Sequence, residues 1–361
     1  MQVKRNAIMK KVLLTLLPVL IFALNGSACT TFFLKNNDGK MIFGRNFDFP
    51  AGQGHIQINQ RGVKKSSFIA PPEKLFQWIS EYGSISFNQN GREFPYGGMN
   101  EAGLVIEQMW LEESVYPEYD ERNALTELQW IQYQLDKAGS VEEVIASDKY
   151  LRISFTSVAK LHFLVADASG NSAVIEYLNG RMSVKTGDSL PYSVLANSCY
   201  STSLDYKKQK ETGADVTYSP MEENSSGRFL TAARMITGDI PRGTYLINYG
   251  FSILDAVAQG PATQWSIIYD LTDRNIYYRT HQNTEIRRID FNSFQYNCSV
   301  NHLFMDIDRF ENAAEYFSPL DFPENYNLIN SVCNDVEFLS NIPGEHRKAM
   351  AGVFLDSVCA E

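Results

Sequence analysis

Directly after residue 28 the chain reads as a β-hairpin, and that placement limits its fold more than any other feature. Cys29 to Leu34 has a strand pattern, Asn36 to Gly39 (Asn-Asn-Asp-Gly) is a hairpin turn and Met41 to Phe49 is the returning strand. A segment of another kind stands ahead of it. Lys4, Arg5, Lys10 and Lys11 precede an apolar run from Val12 to Leu24, and Gly26-Ser27-Ala28 offers small residues where a signal peptidase reads. Residues 1–28 are therefore expected to be an export signal, cleaved before Cys29, so that the mature chain begins inside a sheet. Met9 offers a second start that would leave a Met-Lys-Lys signal. The apolar run is shorter than the about 20 residues a membrane-spanning helix needs. The expectation is a periplasmic or secreted protein with no stable membrane insertion after processing.

Further strand patterns run over His55 to Gln60, Gly83 to Phe87, Leu104 to Leu111, Leu161 to Ala168, Ser172 to Leu178, Arg181 to Thr186 and Ser193 to Ala196. Gln264 to Asp270 with Asn275 to Arg279 reads as another hairpin, followed by a strand from Glu285 to Phe291. Helical spacing marks Ala124 to Lys137, Arg228 to Ile236 and Ile247 to Gln259. Ser140 to Glu143 is a capping box opening a short helix to about Ser147. Blocks of antiparallel strands separated by blocks of helices predict an α+β protein with sheets covered by helices, not alternating βαβ units. The chain divides into one large domain at 29–296 and a C-terminal extension at 297–361 packed on it. Within the extension, Leu303 to Phe317 and Glu345 to Val358 are candidate helices, and the loops between Phe49 and Phe87 and around Tyr200 to Glu223 are candidate pocket loops.

Charge and cysteine usage exclude several functions. The formal net charge is −10 and becomes four more negative once the four basic residues of the signal are removed. Such a surface repels nucleic acid, and no cluster of Lys and Arg interleaved with aromatics offsets the repulsion. The five cysteines, Cys29, Cys199, Cys298, Cys333 and Cys359, form no C-x-x-C pair, and the histidines show no H-E-x-x-H spacing. No metal and no cofactor is expected. With Cys29 set aside, the other four leave three pairings open; Cys333 with Cys359, both in the tail, is the expected disulfide.

Cys29 is the candidate nucleophile. A thiolate attacks an amide carbonyl well but needs a base to take its proton and later return one to the leaving amine. In a chain that starts at Cys29 the α-amino group, with a pKa of about 8, lies a few bonds from the sulfur. Two other readings stay open: a small buried hydrophobe, and a lipidated anchor for an envelope protein that uses the fold for binding only. Lipidation signals usually carry Leu three residues before the cysteine, where this chain has Gly26. The returning strand brings Arg45 and Asp48 near the new N-terminus. A permanent cation beside a thiol favours the thiolate, and a carboxylate can orient the amine. A surface ion pair is the plainer fate of the same two residues.

Cys29-Thr30, Asp38-Gly39 and Gly44-Arg45-Asn46-x-Asp48 together resemble the start of the choloylglycine hydrolase and penicillin V acylase family, cysteine members of the N-terminal nucleophile hydrolases. Gly98-Met99-Asn100-Glu101-Ala102-Gly103-Leu104, Leu195-Ala196-Asn197-Ser198 and Ser226-Gly227-Arg228-Phe229 resemble later motifs of that family, in the same order. The resemblance implies a four-layer αββα sandwich and hydrolysis of a small-molecule N-acyl amide. It implies Cys29 as nucleophile and base, Arg45 against its sulfur, Asp48 holding the α-amine and Asn197 donating to the oxyanion. Arg228 would complete the polar network; read alone, it opens the helix at Arg228 to Ile236, where its sign opposes the helix dipole. Trp110 stands where bile-salt hydrolases carry Asn and many penicillin V acylases Tyr. Its backbone N–H would serve the oxyanion, and its indole would present a broad apolar wall, with Phe47, Phe49 and Trp265 as further wall candidates. The segment from Met109 to Pro117 is similar to that of some Gram-negative acylases. Phenoxyacetyl amides such as penicillin V, N-acyl homoserine lactones and other fatty amides are then expected over conjugated bile salts. The resemblance also implies a homotetramer, on which the residues themselves are silent.

Overall fold

The structure, a computed structural model, describes residues 28–213, 216–241, 243–298, 301–309 and 314–360. Apart from Ala28, the expected export signal and its alternative start at Met9 lie outside the described residues.

Two antiparallel sheets form the body. The first has six strands in the order β14 (Val194–Leu195), β1 (Thr30–Lys35), β2 (Met41–Asp48), β15 (Thr263–Asp270), β16 (Asn275–Thr280) and β17 (Arg287–Asp290). The second has nine, in the order β13 (Arg181–Thr186), β12 (Ser172–Leu178), β11 (Leu161–Ala166), β8 (Val105–Trp110), β7 (Pro95–Asn100), β6 (Ser84–Asn88), β3 (His55–Asn59), β18 (Leu303–Asp306) and β19 (Ser318–Pro319). Two small sheets flank them: β9 (Asn123–Leu125) beside β10 (Leu151–Ile153), and β20 (Val358–Cys359) beside β4 (Val63–Ser66) and β5 (Gln77–Ile79). Helix α1 (Glu127–Lys137) lies on β7 and β8, followed by the short α2 (Val141–Ala146). Helices α4 (Pro220–Thr237) and α5 (Leu246–Ala256) cover the six-stranded sheet, and α3 (Tyr200–Thr212) packs against α4. The tail adds α6 (Phe322–Asp335) and α7 (Gly344–Gly352). The protein is an α+β sandwich of four layers, αββα.

Strand β2 shows how the layers are built. Its residues are buried along nearly the whole length because both faces are covered. Phe43, Arg45 and Phe47 point between the sheets, where Arg45 meets Glu107 of β8. Ile42, Gly44 and Asn46 point to the helices: Asn46 donates to the Leu254 carbonyl of α5 at 2.7 Å. A Cβ on Gly44 would lie 2.3 Å from the Phe32 ring, so only glycine fits there. The turn between β1 and β2 is local chemistry. Asn36 Oδ1 accepts from the N–H groups of Asp38 and Lys40 at 3.1 and 2.8 Å, and Gly39 takes φ +78°.

Most expected elements occur within a residue or two of their predicted bounds; the exceptions have physical causes. Ala124 and Leu125 belong to β9, and α1 starts only after the Thr126 cap, whose hydroxyl accepts from the Gln129 N–H. Within the candidate pocket loop at Tyr200 to Glu223, Tyr200–Thr212 is helix α3, and α4 has already begun at Pro220. Helix α4 therefore starts eight residues before the expected Arg228, behind a reciprocal Ser219/Glu222 capping box. The α-helix expected over Leu303 to Phe317 is not found among its described residues: Leu303–Asp306 is β18, paired with β3 from Leu303 opposite Ile58 to Asp306 opposite His55, and Ala314–Tyr316 is a single 3-10 turn. Periodicity cannot separate helix from strand in so short an apolar run. Past Gly352 the second tail helix gives way to a 3-10 turn and β20.

The disulfide is Cys298–Cys359, not Cys333 with Cys359. Strand β20 sets Cys359 opposite Val63, next to the Gly62 turn where Cys298 lies. Cys333 is instead buried in α6, packed with Ile329 and Ala351.

Candidate active site

The hairpin register puts Cys29 between two neighbours. Thr30 pairs with Asn46 and Thr31 with Leu195, so continuing both registers back to Cys29, one residue before Thr30 and two before Thr31, carries it toward Phe47 on one side and Asn197 on the other. Its sulfur is buried at 2% exposure, 3.8 Å from Arg45 Nη2 and 3.8 Å from the Asp48 carbonyl oxygen. Burial raises the thiol's pKa, and Arg45 opposes that rise.

Arg45 is fixed from behind. Nη1 pairs with Glu107 Oε2 at 2.7 Å, with both side chains fully buried, and Nη2 donates to the Gln108 carbonyl at 3.2 Å. The Tyr269 hydroxyl donates to the other Glu107 oxygen at 2.6 Å. Burial pushes the Glu107 carboxyl up to about 7 against the pull of Arg45. Space for this carboxylate comes from β7: a Cβ on Gly97, its cross-strand partner, would lie 2.2 Å from Glu107 Oε2.

Asp48 accepts from the Thr263 hydroxyl through Oδ1, while its buried Oδ2 has no partner among the described residues. Burial pushes its carboxyl up to about 6, opposed by the Thr263 hydrogen bond, Arg228 and Arg45. A buried carboxylate oxygen with nothing to accept from is costly.

Arg228, buried within α4 rather than at its start, bridges the site. Its Nη1 donates to the Cys29 carbonyl and to Thr30 Oγ1, both at 2.5 Å, and Nη2 donates to Asn197 Oδ1 at 3.1 Å. The dipole conflict expected for a helix-opening arginine therefore does not arise. With Oδ1 held by Arg228, Asn197 turns its Nδ2 to the Trp110 carbonyl at 2.9 Å. Leu111 N–H bonds to the carbonyl of Lys160, the residue just before β11, so the N–H of Trp110, one residue earlier, points to the opposite strand edge. On that edge the Gln108 carbonyl meets Arg45 and the Trp110 carbonyl meets Asn197.

The structure thus brings Cys29, Arg45, Asp48, Asn197, Arg228 and Trp110 together. Phe47, Phe49 and Trp265 form an aromatic cluster beside them: Phe47 lies 5.3 Å from Phe49 and 4.4 Å from Trp265, ring to ring. Two supporting groups escape sequence reasoning. Glu107 is a lone acid in an apolar strand. His162 bonds through Nε2 to the Ala196 carbonyl at 2.7 Å and faces Glu176 through Nδ1 at 3.4 Å, bracing the turn that carries Asn197. The one sequence signal for either is a charged residue inside a strand that otherwise reads as buried.

The profile of the linear amide C-N hydrolases, choloylglycine hydrolase family, matches residues 29–230. The chain belongs to this family. Penicillin V acylase from Pectobacterium atrosepticum is 30% identical over 189 residues, which are 47% of this chain and 49% of that protein. The chain thus spans about half the length of the curated relative it matches. Among solved structures, penicillin V acylase from Agrobacterium tumefaciens superposes with a TM-score of 0.68 at 22% identity, covering 81% of this chain and 98% of that one. A variant of conjugated bile acid hydrolase from Clostridium perfringens gives 0.60 at 20% identity, covering 81% and 97%. At these identities the two structures establish the shared sandwich. The motifs at Gly44 to Asp48, Gly98 to Leu104, Leu195 to Ser198 and Ser226 to Phe229 all lie inside the matched span.

Proposed function

We propose that this family member hydrolyses linear amides of N-acyl compounds, with Cys29 as nucleophile once the residues before it are removed. The carrying observation is the unpartnered, buried Asp48 Oδ2 at the end of the strand beside Cys29. In the uncleaved chain the Cys29 nitrogen belongs to a peptide bond. Cleavage turns it into an amine with additional N–H donors, and we assign this oxygen as the acceptor that orients it.

In the proposed cycle the α-amine takes the Sγ–H proton and the thiolate attacks the substrate carbonyl carbon. The second Asn197 Nδ2 hydrogen and the Trp110 N–H receive the developing oxyanion, where a positioned donor contributes about 3 kcal/mol. Collapse expels the amine, which leaves with the proton held on the α-ammonium, and a thioester remains on Cys29. Water, deprotonated by the same amine, releases the carboxylic acid. Arg45 stabilises the thiolate form.

The indole of Trp110 and the rings around Phe47 favour flat or chain-like acyl groups, so we assign phenoxyacetyl amides such as penicillin V, N-acyl homoserine lactones and fatty amides ahead of conjugated bile salts. Export to the periplasm or medium goes with the same reading, since a signal peptidase supplies the cleavage. A homotetramer is the assembly we propose, to be checked by light scattering.

Two measurements test the reading. The mass of the mature N-terminus should correspond to unmodified Cys29, whereas a lipid-blocked Cys29 would remove the base and leave a membrane-anchored binding protein instead. Purified mature protein should release free amine from penicillin V or from an N-acyl homoserine lactone. The Cys29→Ser variant should lose at least about a thousandfold in kcat, and full activity in a form keeping one extra residue ahead of Cys29 would overturn the mechanism.

A further inference from the structure

From Arg45 a row of rings runs outward to solvent, and its last member belongs to the C-terminal tail. The Arg45 guanidinium lies 4.9 Å from the Phe47 ring centre. Phe47 stacks on Phe49 at 5.3 Å, and Tyr96 tilts against Phe47 at 5.2 Å. Phe338 then meets Phe49 edge-on at 5.9 Å. Exposure changes abruptly along the row: Phe47 is 1% and Phe49 8% exposed, but Phe338 is 61% exposed. A single exposed apolar ring is ordinary on a protein surface. This one continues an apolar row whose inner end adjoins the cation 3.8 Å from the Cys29 sulfur.

The tail is anchored just where it must be to hold Phe338 in place. Asn325 Oδ1 accepts from the Arg92 N–H at 2.9 Å, and its Nδ2 donates to the Ala351 carbonyl at 2.9 Å. Ile329 packs over Gly91, where a Cβ would lie 2.6 Å from its Cδ1. Gln53, a few residues beyond Phe49, donates to Asp335. These contacts bind α6 to the segments that follow β2 and β6, and the turn after α6 delivers Phe338 to Phe49.

We propose that Phe338 is a specificity-determining residue, the outer wall of the acyl subsite, so that the row Phe47, Phe49 and Phe338 receives the acyl chain of a substrate bound as a thioester on Cys29. This rests on the amidase reading above. It gives the tail a function: selecting long or aromatic acyl groups over short ones.

The test compares wild type, Phe338→Ala and Phe338→Leu on short- and long-chain N-acyl homoserine lactones, with amine release as readout. Phe338→Ala should lower the long-to-short ratio of kcat/KM by about tenfold, mainly through KM for the long chain, in line with lost apolar pocket contact. Phe338→Leu should restore most of it. An unchanged ratio overturns the proposal. A second arm does not depend on catalysis: binding of a long-chain fatty acid to Cys29→Ser protein, followed by tryptophan fluorescence. Phe338→Ala in that background should weaken binding by a similar factor, and equal binding overturns the proposal. If no substrate is turned over, the amidase reading fails while the fatty-acid arm still decides the role of Phe338.

Discussion

At Cys29 two effects oppose each other: burial holds the proton on sulfur, and Arg45 draws it off. The balance depends on how much of the Arg45 charge the sulfur feels, and Glu107 shares that charge at 2.7 Å. Replacing Glu107 by Gln keeps an acceptor oxygen for Arg45, turns an N–H donor to the Tyr269 hydroxyl, which can accept, and removes the competing negative charge. The field at the sulfur then becomes more positive, and the acidic limb of kcat/KM should move about one pH unit lower, equivalent to about 1.4 kcal/mol. A pH profile of the two proteins checks this. Stability carries a second signature. The Glu107 carboxyl titrates in the folded protein at about 7, above its ordinary range, so between the ordinary value and about 7 the folded state holds more protons than the unfolded one. Folding of the wild type therefore weakens as pH rises through that window. The melting temperature of Glu107→Gln should gain on that of wild type over the same interval, and parallel curves would show that Glu107 is ionised throughout.

In the proposed cycle Asn197 acts at a different point of the reaction. Its Nδ2 is aimed by Arg228 on the other side of the amide, so Asn197→Ala removes the proposed oxyanion donor and leaves the proposed acyl wall intact. The expected result is a fall of about 10² to 10³ in kcat with a small change in KM. A loss confined to KM would assign Asn197 to binding instead.

Secondary elements explain why some of this is legible in the sequence and some is not. The hairpin that carries the site is legible because its turn is made by consecutive residues, Asn36 Oδ1 capping the N–H groups of Asp38 and Lys40. Asn197 and Arg228 carry no such local signal. They stand out only through the motifs they share with a family, because what joins them is a contact between a strand end and a helix about 30 residues later. Glu107 is harder still: its partner comes from the other sheet, and its room comes from a missing side chain on the neighbouring strand. Gly97→Ala tests that arrangement, since the new Cβ would lie 2.1 Å from Glu107 Cδ while Arg45 and Tyr269 hold both oxygens. The carboxylate would have to leave Arg45, and breaking a buried pair costs about 3–5 kcal/mol. In a Glu107→Ala background the same Gly97→Ala change should cost much less, a non-additivity that chemical denaturation of the four proteins reads directly. Equal costs in both backgrounds would mean that Gly97 is required for the strand itself.

Across the whole molecule, besides the β18–β3 ladder, the tail is held at two further places, and these two ties have different reach. Near the site, Asn325 and Asp335 bind α6 to Arg92 and Gln53. At the far end, β20 lies along β4, Ala360 N–H bonds to the Gly62 carbonyl at 2.8 Å, and Cys359 is bridged to Cys298 across 61 residues. That pairing is not readable from the sequence, because it depends on the tail doubling back past α6 and α7. Closing a loop of this size removes conformational freedom from the unfolded chain, worth about 4 kcal/mol on the chain-entropy account and commonly about 2–4 kcal/mol in practice. Cys359→Ser should therefore lower unfolding free energy by about 2–4 kcal/mol, measured by denaturant titration without reductant. Since α6 keeps its own anchors, added hydrogen exchange in the variant should concentrate in β4, β5 and β20 and leave α6 protected. If exchange rose equally at Asn325 and Phe338, the disulfide would be what holds the tail over the site, and mild reduction would then change acyl-chain preference along with stability.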